Sequence, residues 1–182
     1  MKKSCQILVV LGPSGVGKSS FAKYLSEKRH WLHLEIDQYP NGDGIDSNDL
    51  RKQWDLFYGS RNPRDLAAEL RRRASQIRTT GCVLSFPSGV ILSPDHIAAA
   101  EEASIDIAYL YGSAAHCINA FLKRERESGS NLSLDHWLNN NRASYLTMSD
   151  PMFRPYRTHV FDIQGKHRSH ADVFREIQSR RR

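Results

Sequence analysis

A short apolar run followed at once by three closely spaced glycines is the feature that most restricts how this chain can fold. Residues 7–11 read Ile-Leu-Val-Val-Leu, a continuous apolar run typical of a strand that is buried on both faces. Residues 12–19 then match the pattern G-x-x-x-x-G-K-[ST], and residues 20–25 begin a helical pattern. The sequence therefore predicts a strand, a tight turn and a helix in direct succession.

The residue types of this turn suit the binding of a polyphosphate. Gly12, Gly15 and Gly17 allow the backbone to turn tightly and to direct its N–H groups inward at the positive end of a helix. Lys18 would bring an ammonium group to the β- and γ-phosphates, and Ser19 would offer its hydroxyl to Mg²⁺. The residues predicted to contact the nucleotide are Gly12, Pro13, Ser14, Gly15, Val16, Gly17, Lys18, Ser19 and Ser20.

Length and composition are those of an ordinary globular protein. The chain has 182 residues, of which 40% are hydrophobic and 25% are charged. We expect a single domain over residues 1–182, without a membrane span or signal peptide. The three cysteines have no metal-ligand spacing, which favours reduced, mostly buried thiols and a cytoplasmic location.

The net charge of +6 raises the question of nucleic-acid binding. Much of the excess comes from two arginine runs, at residues 71–73 and 180–182. We interpret these runs as solvated surface, and predict that the partner is a small anionic molecule rather than nucleic acid.

The order of elements predicts an α/β fold in three layers. Strands are predicted at residues 7–11, 32–37, 82–86, 105–111 and 159–163, with helices between them. This alternation favours a five-stranded parallel sheet with helices on both faces. Ligands of such sheets bind beyond the carboxyl ends of the strands. Asp37, Ser85, Gly112 and Gln164 are therefore expected at the same edge as the glycine-rich turn.

The turn motif together with this element order resembles the small-molecule and nucleoside-monophosphate kinases of the P-loop class, such as shikimate kinase and gluconate kinase. The resemblance covers nearly the whole chain in layout, but only residues 12–20 match at the level of sequence. It implies an ATP-dependent phosphotransferase that uses Mg²⁺ and acts on a small metabolite. It also implies an acceptor-binding segment at about residues 38–80 and a lid at about residues 123–142.

The resemblance assigns a role to an acidic residue at the end of the second strand. Asp37 would accept the proton of the attacking hydroxyl and help to hold Mg²⁺. A turn-capping aspartate is the alternative. The third strand ends without the carboxylate of a standard Walker B motif, so Ser19 and Asp37 are the expected metal ligands.

Arginines supply the remaining site residues that the resemblance implies. Arg124, Arg126 and Arg142 would close over the phosphates, with Arg126 slightly ahead of Arg124 as the catalytic residue. A solvated helix end of mixed charge is the alternative for this segment. Arg61 and Arg64, near a predicted helix start, would grip an anionic group of the acceptor, although surface arginines are common.

Two other functions stay open at this stage. A nucleoside or nucleotide kinase would use several arginines to grip an acceptor phosphate. A nucleotide-dependent switch or nucleic-acid-linked ATPase is disfavoured, because a guanine-reading Asn-Lys-x-Asp is absent. His167 and His170 have a spacing that could ligate a metal on a helix, but residues 164–168 fit better as a loop that borders the adenine.

Overall fold

The computed structural model describes residues 5–36, 47–86 and 88–180, and of residues 47–49 it describes the backbone only. Five strands lie in these ranges, β1 (Gln6–Leu11), β2 (Trp31–Glu35), β3 (Gly81–Ser85), β4 (Ile105–Tyr111) and β5 (Arg157–His159). The α-helices there are α1 (Lys18–Arg29), α2 (Ser47–Ser60), α3 (Arg64–Gln76), α4 (Pro94–Glu102), α5 (Ala114–Glu127), α6 (Leu134–Ser149) and α7 (His170–Ser179). A 3₁₀-helix over Pro151–Tyr156 precedes β5.

The strands form one five-stranded parallel sheet in the order β2-β3-β1-β4-β5, with helices on both faces. Ile7 lies opposite Cys82, and Leu34 lies opposite Leu84. The predicted fold class is confirmed. Strand β1 is buried along residues 7–11, as its continuous apolar sequence predicts. Each such aliphatic side chain contributes about 1.5–3 kcal/mol on burial.

Contacts divide the chain into two compact units, each built from separate stretches. The first consists of residues 1–10, 22–86 and 92–107, and the second of residues 11–21, 87–91 and 108–182. In the described part of the chain, no helix is long and apolar enough to cross a bilayer.

In the first unit, aromatic rings pack α2 against the end of β3, and ion-paired side chains stabilise α3. The ring of Trp54 on α2 lies 3.9 Å from that of Phe86, just beyond β3. On α3, Glu69 accepts hydrogen bonds from Arg72 and Arg73 at 2.6–2.7 Å. These bonds lower the pKa of Glu69 to about 2, although burial opposes the shift.

Two predicted strands have the wrong boundaries. Strand β5 was expected at residues 159–163 but runs over Arg157–His159, because a turn begins at Asp162. The Asp162 carboxylate accepts hydrogen bonds from the backbone N–H groups of Gln164 and Lys166, each at 2.9 Å. Strand β2 was expected at residues 32–37 but runs over Trp31–Glu35, and Ile36 already lies in a turn. Helix α3 ends at Gln76, since Arg78 adopts a positive φ of 57° that no α-helix accommodates.

Candidate functional site

The loop between β1 and α1 has the tight conformation that its glycines predict. Gly12, Gly15 and Gly17 have φ values of 145°, 84° and 93°, which other residues rarely adopt. An added Cβ at Gly15 would lie 2.0 Å from the carbonyl oxygen of Cys117 on α5. At Gly12 the same atom would lie 2.5 Å from the carbonyl oxygen of Leu110. Glycine is therefore required here for backbone conformation and for close packing.

Lys18 is the first residue of α1, and its ammonium group folds back over the loop. Its Nζ atom donates to the carbonyl oxygens of Gly12 at 2.8 Å and Pro13 at 3.1 Å. Ser19 and Ser20 follow in the first helical turn with exposed side chains. The loop thus combines a helix N-terminus with a lysine ammonium and exposed hydroxyls, an arrangement suited to an anion.

Cys117 of α5 lies close to the loop but is chemically inert. Burial raises the pKa of Cys117 to about 12, while the charge of Lys18 acts in the opposite direction. The thiol therefore stays protonated near neutral pH, and it is not a nucleophile there. Its effect on the site is steric, since its backbone carbonyl is the atom that excludes a side chain at position 15.

The polar groups of Ser14 are all bound by residues from elsewhere in the second unit. Its backbone N–H donates to Oδ1 of Asn141 at 2.7 Å, and its carbonyl accepts from Nε1 of Trp137 at 2.9 Å. Its hydroxyl donates to Oγ of Ser88 at 2.8 Å. Trp137 and Asn141 lie on α6, 2% and 1% exposed. Sequence reasoning missed both contacts, for which the only available signal was the i, i+4 spacing of the two residues on one helix face.

The turn after β5 forms an aromatic cluster next to the loop. The rings of Phe161 and His167 are 4.2 Å apart, and that of His116 lies 5.2 Å from Phe161. Cε1 of His167 is 3.5 Å from where a Cβ on Gly17 would lie. Burial and the nearby His170 lower the pKa of His167, so its imidazole is neutral at pH 7. The contact of residues 164–168 with an adenine stays a prediction.

The arginines of the predicted lid lie in different environments. Nε of Arg124 donates to the buried Glu125 carboxylate at 2.9 Å, and its guanidinium carbon lies 5.4 Å from the centre of the Phe121 ring. Arg126 is exposed and donates from Nε to a carbonyl oxygen one turn earlier in α5 at 3.2 Å. Arg142 lies on the exposed side of α6. Arg124 is therefore paired with its neighbour on α5 although its side chain is 61% exposed, and Arg126 and Arg142 are exposed as well.

The predicted acceptor residues belong to the first unit or lie outside the described ranges. Asp37 falls in residues 37–46, which the structure does not describe. Arg61 forms an exposed ion pair with Asp95 at 2.7 Å. Arg64 is exposed at the start of α3, and its backbone N–H donates to Oδ1 of Asn62 at 3.2 Å. Their predicted contact with an acceptor stays a prediction.

The end of β3, where the sequence lacks a carboxylate, has a serine–histidine pair. Oγ of the buried Ser85 lies 3.1 Å from Nε2 of His33 on β2. Burial lowers the pKa of His33 more than the charge of Glu35 raises it, so the imidazole is neutral near pH 7. Among residues 5–36, 47–86 and 88–180, no group of three or more His, Cys, Asp or Glu side chains could hold a metal ion.

Similarity in three dimensions agrees with this architecture. A sugar kinase from Janibacter sp. HTCC2649 aligns over 96% of this chain and 93% of its own, with 16% identity and a TM-score of 0.53. The chain has the P-loop kinase fold. Its glycine-rich loop, with Lys18 and Ser19 at the start of α1, is the P-loop of that fold.

Weaker structural matches are of the same kind. A gluconokinase from Sinorhizobium meliloti 1021 aligns over 98% of this chain and 92% of its own, with 17% identity and a TM-score of 0.49. A shikimate kinase from Acinetobacter baumannii aligns over 97% and 93%, with 18% identity and the same TM-score. No protein-family model and no curated protein sequence matches the chain.

Proposed function

We propose that this P-loop protein is a cytoplasmic ATP-dependent phosphotransferase that phosphorylates a small, anionic metabolite. The observation that carries the proposal is the loop itself, where Lys18 lies over a turn of three positive-φ glycines at the N-terminus of a helix. Such a turn favours a polyphosphate over other anions because it offers several backbone donors in one place. The similarity in fold to a sugar kinase supports a hydroxyl group as the acceptor.

Within this proposal, the loop amides and Lys18 bind and orient the triphosphate. The ammonium exchanges its bonds to the Gly12 and Pro13 carbonyls for phosphate oxygens, which bear a full charge and so bind it more strongly. Ser19 fits a magnesium site, because its hydroxyl is exposed in the first turn of α1 and Mg²⁺ takes most of its ligands from phosphates and water. Bound there, Mg²⁺ would neutralise charge that develops on the phosphate oxygens.

The transfer forms a bond between the acceptor oxygen and the γ-phosphorus and breaks the bond to the bridging oxygen of ADP. The acceptor proton passes to Asp37 in this scheme. Arg61 and Arg64 bind the anionic group of the acceptor, and Arg126, with Arg142, neutralises the phosphoryl oxygens and excludes water. Arg124 contributes to the lid only indirectly in this scheme, since its guanidinium group is paired with Glu125.

The proposal is tested by measuring binding and turnover in the same preparation. Calorimetry with Mg²⁺–ATP is followed by an ADP-release assay over a panel of sugars, sugar acids, nucleosides and nucleoside monophosphates. We expect ATP to bind and one of the sugar acids, which are anionic, to stimulate ADP release. Stimulation by nucleosides or nucleotides alone would favour a nucleoside or nucleotide kinase.

Two lysines of the same helix provide a matched comparison. Lys18→Ala should reduce turnover by roughly 10²-fold or more with an unchanged circular dichroism spectrum. Lys23→Ala removes an exposed lysine that pairs with Glu27 at 3.8 Å, and it should leave turnover unchanged. Equal turnover in the two variants would contradict the role of Lys18, and absence of ATP binding by the wild type would refute the proposed function.

A further inference from the structure

We infer that Asn141, assisted by Trp137, is a positioning residue for phosphate binding, because it fixes the Ser14 peptide of the P-loop from helix α6. The inference rests on the proposed function. Neither residue belongs to the glycine-rich motif, and both reach the loop from a helix more than 100 residues further along the chain.

The bonds of Asn141 require an amide at this position. Its Oδ1 accepts from the Ser14 N–H at 2.7 Å, and its Nδ2 donates to the Trp137 carbonyl oxygen at 2.8 Å. An aspartate would bring a second acceptor against that carbonyl, and a leucine would leave the Ser14 N–H without an acceptor. Because Asn141 is 1% exposed, water does not readily replace the lost bond.

Trp137 binds the next peptide group of the loop. Its indole N–H donates to the Ser14 carbonyl oxygen at 2.9 Å, one turn of α6 before Asn141. The helix therefore binds the N–H and the carbonyl of one residue, which belong to the two peptide groups on either side of the Ser14 Cα, and this restricts the backbone dihedral angles of Ser14. The Ser14 N–H is directed to α6, and the Val16 N–H donates to the Pro13 carbonyl at 3.4 Å. We expect the amides of Gly15 and Gly17 to face a phosphate.

Fixing the backbone at Ser14 favours the loop conformation that binds phosphate. Gly12, Gly15 and Gly17 give the loop many alternative conformations, and each one that turns an amide away lowers the binding-competent fraction. The apparent dissociation constant rises in inverse proportion to that fraction. A residue that only stabilised the fold would change the melting temperature without changing the affinity of the folded protein.

Three consecutive asparagines on α6 provide the matched variants. Asn139 and Asn140 are exposed, and Asn141 is buried. Asn141→Leu should raise the dissociation constant for Mg²⁺–ATP by about 5- to 100-fold, the range expected when a buried donor loses its partner. Asn139→Leu should leave it within about twofold, because an exposed substitution perturbs little. Affinities are measured by calorimetry well below the melting temperature of each variant.

Amide exchange of Ser14 followed by NMR gives a readout that needs no nucleotide. Exchange should be slow in the wild type and in Asn139→Leu, and at least about 10-fold faster in Asn141→Leu. Should Asn141→Leu not fold, Trp137→Phe removes the indole donor together with part of a buried ring, and it should still weaken ATP binding by several-fold when measured well below its melting temperature.

The outcomes separate this inference from the function on which it rests. Fast exchange of Ser14 in the wild type, or an unchanged ATP affinity in folded Asn141→Leu or Trp137→Phe, overturns the positioning role while ATP binding by the wild type stands. If the wild type binds no ATP, the proposed function is overturned. The positioning role then falls with it, even if the Ser14 amide is protected from exchange.

Discussion

Replacement of Gly15 by alanine tests the packing of the P-loop directly. The added Cβ would lie 2.0 Å from the carbonyl oxygen of Cys117 and 2.9 Å from the backbone nitrogen of Phe121. Both atoms belong to the backbone of α5, so no side-chain rotation can relieve the contact. The residue also has a φ of 84°, which disfavours any Cβ. The loop or the helix must therefore move.

Two other glycines separate the cost of the contact from the cost of the backbone conformation. Gly129 has a φ of 71° with no atom within 4 Å of its ideal Cβ, so Gly129→Ala should cost only the strain, about 1–2 kcal/mol. Gly59 lies within α2 with equally open surroundings, and Gly59→Ala should stabilise the protein by about 0.5–1 kcal/mol. Gly15→Ala bears the strain and the contact together, for a loss of roughly 3 kcal/mol or more.

Urea denaturation of the three variants measures these differences, and calorimetry measures ATP binding. For a chain of this size, the loss in Gly15→Ala corresponds to a fall in melting temperature of roughly 6–12 °C. ATP binding should be lost as well, because the loop cannot hold its conformation and accommodate the methyl group. A free energy of unfolding for Gly15→Ala within about 0.5 kcal/mol of that for Gly129→Ala would refute the reasoning.

Three further predictions concern charged residues. Asp37→Asn should lower the turnover number by roughly 10²-fold if Asp37 accepts the acceptor proton, and an unchanged rate would leave it as a turn residue. Arg126→Ala should lower turnover by about 10-fold or more. Arg124→Ala should chiefly cost about 1 kcal/mol of stability, because it removes one partner of the buried Glu125, which Ser130 also binds. The reverse pattern in kinetics and urea denaturation would exchange their roles. Since the folded-state pKa of Glu69 is lowered from 4.5 to about 2, its stabilisation is present above pH 4.5 and is lost as the pH falls towards 2. Glu69→Gln should therefore lose about 1 kcal/mol at pH 7, because solvent screens a pair with the partly exposed Arg72, and it should flatten that acid limb, which a pH series of urea titrations checks.

The P-loop and the sheet could be predicted from the sequence because their signals are local. A strand buried on both faces must be apolar throughout, as residues 7–11 are. A turn that directs amides inward at a helix start needs glycines, and Gly12 and Gly15 occupy conformations that confirm this requirement. Alternating strands and helices then give a parallel sheet by the geometry of chain connections.

Element ends were less predictable, because the deciding contacts are distant in sequence. The alternation of residues 159–163 fits a strand, yet Phe161 instead lies against Gly112, where a Cβ would be 2.3 Å from its ring. The strand ends earlier, at His159, and Ile163 is fully exposed. The pattern of apolar residues indicates that a side chain will be buried, but it does not indicate which part of the molecule will cover that side chain.

The sequence by itself determined that this chain would place a lysine and a ring of backbone amides at the start of its first helix. Only the tertiary structure decided what holds that loop. Asn139, Asn140 and Asn141 have the same side chain, and folding buries one of them against Ser14. The physical reason is that conformational restriction by glycine acts within a few residues, whereas an amide becomes a structural contact only when packing excludes water from it.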